Sequence, residues 1–64
     1  MEYSKFILGG NRYMITIVFK DWFTGQYIDE FTMDGDWSHE VKCARKVGKY
    51  IEADKTKKRI IIFY

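Results

Sequence analysis

The alternation in "RYMITIVFK" (residues 12–20) constrains this chain more than any other stretch. Tyr13, Ile15, Ile17 and Phe19 recur at every second position, with Met14, Thr16, Val18 and Lys20 between them. A period of two places each set on one face of a β-strand. One set is wholly apolar and the other is mixed, the pattern of a sheet covered on one side. Strand character continues through Trp22 and Phe23, so the strand reads as 12–23. "TGQ" (24–26) then supplies a turn and "YIDEFTM" (27–33) a returning strand, which makes the pair an antiparallel hairpin. Upstream, "EYSKFIL" (2–8) ends at "GGN" (9–11) and reads as a further short strand with its turn.

Asp34-Gly35-Asp36 interrupts this alternation. Asp36 or Ser38 suits the N-cap of a following helix, and Asp36 and Glu40 suit the positive end of its dipole. From Trp37 to Ala53 the spacing is helical: Trp37, Val41, Ala44, Val47, Gly48 and Ile51 share one face. Gly48 costs about 1 kcal/mol against alanine inside a helix, which a close approach to the sheet would explain. "DKTKKR" (54–59) is a charged connection. "IIIFY" (60–64) is a continuous apolar run, fit for a strand that is paired centrally or buried on both faces. The expected order is β-β-β-α-β: a two-layer α+β domain, an antiparallel sheet with one helix packed across it.

A chain of 64 residues makes a single domain, 1–64, near the lower size limit for independent folding. Five Phe, five Tyr and two Trp supply much burial area per residue and offset the thin core. No apolar run approaches the ~20 residues of a membrane span, and no leader with a cleavage site is legible. The single Cys43 cannot form an internal disulfide, in keeping with a reducing compartment. The expected location is the cytoplasm, that of the host cell if the protein is phage-encoded.

Charge divides the chain. Residues 1–37 hold six acids and three bases, net −3, and residues 38–64 hold three acids and eight bases, net +5. Two candidate surfaces follow. On the projected helix Lys42, Arg45, Lys46 and Lys49 form one strip, opposite the apolar face. Lys42–Lys46 and Arg45–Lys49 are like-charge i,i+4 pairs, the reverse of what stabilises a solvated helix face. With Lys57 and Lys58 from the 55–59 connection they make a candidate anion-binding or nucleic-acid surface. The plainer reading of both cation groups is a solvated surface. The second surface is acidic: Asp21, Asp29, Glu30 and Asp34 with Trp22 and Trp37. An exposed Trp22 beside Phe23 near a hairpin tip has the character of an interface hot spot. Trp37, at a helix start, is more often a core staple than a contact.

Catalytic chemistry has little support. His39 and Cys43 stand at i,i+4, so their side chains can meet, but no third group is evident to orient them. Asp34, Asp36, His39 and Glu40 match no calcium or zinc spacing, and capping explains them better. Gly9-Gly10 lacks the Lys-Ser/Thr and helix of a phosphate loop. The chain reads as a non-enzyme without cofactor or metal.

"VFKDWF" (18–23), "FTM" (31–33) and the Trp-led helix together resemble the Dmd antitoxins of T-even bacteriophages. The matching positions are Val18, Phe19, Trp22, Phe23, Thr32, Met33, Asp34, Asp36, Trp37, Lys57 and Lys58, and the likeness runs over residues 13–64. Residues 1–12 have no counterpart, the acidic turn is shorter, and the helix is more basic. The resemblance implies a small phage protein that binds a host ribonuclease toxin and blocks its cleft, with Trp37 touching the toxin. The acidic hairpin would then meet a basic cleft. The functional expectation is therefore a protein-binding inhibitor of a host defence factor. The alternative is a nucleic-acid-binding module, and pairing of terminal "IIIFY" edges between copies would make a homodimer.

Overall fold

A computed structural model of the chain describes residues 12–64. The strand expected over residues 2–8 and the turn at 9–11 lie outside the described residues. The alternating stretch forms β1 (Arg12–Lys20), followed by β2 (Tyr27–Asp36), α1 (Trp37–Val47), β3 (Tyr50–Asp54) and β4 (Arg59–Phe63). One helix lies across a four-stranded sheet, the α+β class expected, with strand order β2-β1-β4-β3. The outer pairs β1·β2 and β3·β4 are antiparallel, whereas the central pair β1·β4 is parallel. The sheet is therefore mixed. The helix lies between β2 and β3, so the chain returns to the sheet beyond β1, and β4 pairs with β1 in the same direction.

The alternation sets the layers. Ile15 and Ile17 of β1 meet Ile60 and Ile62 of β4 under Trp37 and Ala44 of the helix, forming the buried core. Tyr13, Phe19, Met33, Val41 and Ile51 pack around it. Val18, on the opposite sheet face, is also buried, between Glu30 of β2 and Ile61 of β4. "IIIFY" is an interior strand rather than an edge, because β1 takes one side and β3 the other. The edges among the described residues are β2 and β3, so pairing of copies through "IIIFY" is excluded.

Three boundaries differ from the sequence reading. β1 ends at Lys20 rather than Phe23, because Asp21 Oδ1 accepts from the Phe23 and Thr24 N–H groups and turns the chain. Strand β2 does not break at Asp34 but runs to Asp36, because Asp34, Gly35 and Asp36 pair with Met14, Tyr13 and Arg12. A Cβ on Gly35 would lie 3.1 Å from Met33 Cε and 3.2 Å from Glu40 Cγ, so glycine lets the first helical turn fold back onto the strand. The helix ends at Val47 rather than Ala53, and Tyr50–Asp54 is a strand. Pairing with β4 satisfies the edge that a longer helix would leave bare.

Asp36 is the N-cap, with extended backbone (φ −87°, ψ 123°), and its Oδ2 accepts from the His39 N–H at 3.2 Å. Asp36→Ala is expected to cost about 1 kcal/mol and lower the melting temperature by about 4–8 °C, while Asp36→Asn keeps most of the stability. Thermal melts followed by circular dichroism at 222 nm check this, and equal losses for both variants would remove the cap from the account.

Candidate functional site

The end of the sheet where β1 gives way to the turn gathers the exposed aromatics. Beyond Lys20 the chain stays tied to the C-terminus: the Trp22 N–H donates to the Tyr64 carbonyl, and the Tyr64 N–H to the Lys20 carbonyl. That tether aims the Trp22 indole away from the helix, 6.3 Å from the ring of Tyr50, which in turn sits 5.6 Å from Phe63. On the helix side of the same end Phe19 stacks on Phe31 at 6.1 Å and meets Tyr64 edge-on at 5.5 Å. Trp22 is 49% exposed and Phe23 93%. Tyr27, Tyr50 and Tyr64 are exposed as well. These rings form an exposed aromatic cluster at one end of a small domain.

Acids border this end. Asp21 is committed to the turn: its Oδ1 accepts from the N–H groups of Phe23 (2.7 Å) and Thr24 (3.0 Å). Asp29 and Glu30 face Phe19 and Val18 across the hairpin. The Tyr27 phenol is held above its ordinary pKa, by desolvation first and then by the charges of Glu30 and Asp29. Of the six residues expected on the partner-binding surface, Asp21 and Trp22 share the turn after β1, whereas Asp29 and Glu30 lie on β2 opposite Phe19 and Val18, one on each face of the sheet. Asp34 stands at the other end of β2, with its Oδ2 3.6 Å from Arg12 Nε. Trp37 is 9% exposed and belongs to the core, because the helix lays its indole onto the sheet. Only its edge reaches the surface, in a cleft shared with Ser38, Val41, Lys42 and Arg45.

The basic residues disperse. Lys42 and Arg45 line a cleft of about 300 Å³ with Trp37, Ser38 and Val41. Lys46 is exposed on the helix, but Lys49 lies beyond its end and its N–H donates to the Phe63 carbonyl. The Arg45–Lys49 helical pair therefore does not exist. Lys58 takes a left-handed backbone (φ 54°), donates from Nζ to the Lys55 carbonyl, and rests 4.4 Å from the Tyr13 ring centroid. It is held by the turn. The Lys57 N–H donates to Asp54 Oδ1, leaving its side chain exposed.

His39 Nε2 and Cys43 Sγ do approach, at 3.6 Å, on the exposed helix surface. Among the described residues no group of three or more His, Cys, Asp or Glu side chains could hold a metal. No described helix is long and apolar enough to cross a membrane. Tyr50 was hidden from the sequence reading by its assignment to the helix, and its strand position places it beside Trp22.

The described residues form a small α+β domain with a cluster of exposed aromatic rings at one end of the sheet. Compared with protein-family models, curated proteins and solved structures, the chain matches none.

Proposed function

We propose that this protein is a small protein-binding inhibitor that acts in the cytoplasm by covering a site on a host protein. The supporting observation is the half-exposed Trp22, fixed by its backbone tie to Tyr64 and flanked by Tyr50 and the nearly naked Phe23. Aromatics held rigid at a surface lose little entropy on binding and dominate interface energies. Asp29 and Glu30 of β2 favour a basic partner surface and would speed encounter with it. A ribonuclease cleft, shaped for phosphates, has that chemistry, and the resemblance to phage antitoxins points to the same target. The role requires no catalysis.

A second reading draws on the cleft lined by Lys42, Arg45, Ser38 and the Trp37 edge, which can accept an anion such as a nucleic-acid phosphate. One experiment separates the two. Affinity capture from bacterial lysate with mass spectrometry is carried out on the native protein, on Trp22→Ala and on a Lys42→Glu, Arg45→Glu, Lys46→Glu, Lys49→Glu variant. Trp22→Ala is expected to weaken capture of a protein partner by tenfold or more, and the charge-reversed variant to retain it. Recovery of nucleic acid alone, lost on charge reversal and steep in salt, would replace the first reading by the second.

A further inference from the structure

Among the described residues, the outer edge of β2 carries a short window of backbone with no partner. The Thr16 N–H donates to the Lys58 carbonyl and the Lys20 carbonyl accepts from the Tyr64 N–H, so even-numbered residues of β1 turn their backbone groups toward β4. Odd-numbered residues then face β2, and the register pairs Tyr13, Ile15, Ile17 and Phe19 with Gly35, Met33, Phe31 and Asp29. Alternation leaves the N–H and C=O of Glu30, Thr32 and Asp34 turned outward. Two of these six groups are already occupied. The Glu30 N–H donates to Asp29 Oδ1 at 2.8 Å, and the Asp34 carbonyl accepts from Arg12 Nη2 at 3.2 Å. Both ends are thus closed, and among the described residues an open stretch centred on Thr32 remains: the Glu30 C=O, both Thr32 groups and the Asp34 N–H.

Beside this edge, on the helix side, runs an apolar groove of about 150 Å³, lined in part by Phe31 and Met33 of β2 and by Glu40, Cys43 and Val47 of α1. A strand added to β2 would turn alternate side chains into that groove. Its other side chains would stand against Glu30 and Asp34 on the opposite face. A second copy of β2 does not suit this place. Antiparallel pairing about Thr32 would set Glu30 against Asp34 of the other copy, like charges directly opposed.

We propose that β2 and α1 form a docking site for an extended segment of another protein, in which apolar residues alternate with lysine or arginine. The segment adds a fifth strand at Thr32, fills the groove with its apolar side chains and sets a cation against Glu30, since Asp34 already holds Arg12. Main-chain hydrogen bonds supply affinity, and the two faces supply selectivity. The inference deepens the protein-binding reading by naming a binding mode, but uses a surface that Trp22 does not build.

The test uses a fluorescein-labelled heptapeptide alternating lysine and valine, titrated into the full chain by anisotropy at low salt, with Thr32 amide exchange followed by NMR. The expected result is saturable binding, with a Thr32 amide that exchanges freely in the free protein and is protected by the peptide. A glutamate–valine peptide, and a lysine–valine peptide N-methylated at its centre, should each bind at least about tenfold more weakly. Thr32→Pro removes an N–H turned away from β1, a place where an edge strand tolerates proline, and should weaken binding to a similar degree. The N-methylated peptide gives the same answer should that variant fail to fold. Absence of binding at millimolar peptide, equal binding of the acidic or N-methylated peptide, or a Thr32 amide already protected in the free protein would each overturn the proposal. Trp22→Ala should leave peptide affinity unchanged, so loss of lysate capture in that variant bears on the aromatic surface alone.

Discussion

Trp37→Ala is expected to abolish cooperative folding or to lower the melting temperature by 20 °C or more. The indole is buried with Ile15, Ile17, Ala44, Ile60 and Ile62, and it is the largest side chain joining helix to sheet. Removing a core tryptophan costs about 3–5 kcal/mol, through lost transfer energy and the cavity left behind. A domain of this length commands only about 3–10 kcal/mol in total. One truncation therefore consumes much of the stability. Trp22→Ala should behave oppositely, with a melting temperature within a few degrees of the native protein, because its indole is half in water. The pair separates folding from binding. A capture assay on Trp37→Ala would read unfolding as a lost contact, so Trp22 is the position that tests the surface. Circular dichroism melts of both variants check this, and a Trp37→Ala protein that melts like the native chain would displace Trp37 from the core.

The same two residues show what the sequence makes legible. Period-two alternation in β1 named Ile15 and Ile17 correctly, because a strand has two faces and one of them is wholly apolar. The unbroken "IIIFY" run implied a strand paired centrally, as β4 is. Parallel pairing of β1 with β4 left no mark, since periodicity records faces and not directions. The candidate site was half legible for a related reason. Asp21 and Trp22 are neighbours in sequence and stay together in the turn, whereas Asp29 and Glu30 return on β2 and fall on opposite faces of the sheet. Asp34 is four residues beyond Glu30 along an extended strand, a separation of about 13 Å. Tyr50 joins Trp22 only through β3 pairing with β4, a long-range event that local spacing cannot report. The helix terminus was ambiguous because Ile51 falls at an inward position for a helix continued from Ala44 and also for a strand covering β4.

Gly48 resolves that ambiguity by the sign of a single measurement. Were it inside a helix running to Ala53, Gly48→Ala would stabilise the protein by about 1 kcal/mol through helix propensity. Gly48 instead ends the helix, with its N–H donating to the Ala44 carbonyl at 3.1 Å, while the Lys49 N–H donates to the Phe63 carbonyl at 2.8 Å. Its φ of −98° suits any residue, so the constraint is steric and not conformational. An added Cβ would lie 2.6 Å from Ile62 Cγ2 and 2.9 Å from the Phe63 carbonyl oxygen, inside the closest contacts real side chains make. Neither neighbour yields readily, since Ile62 is itself buried in the core and the other is backbone. Gly48→Ala is therefore expected to destabilise by about 1–3 kcal/mol, the usual cost of overpacking, and Gly48→Val by more. Equilibrium urea unfolding of the two variants supplies the test. A raised midpoint for Gly48→Ala would return the residue to a helix, whereas a lowered midpoint that falls further in Gly48→Val places it where the helix turns back against β4.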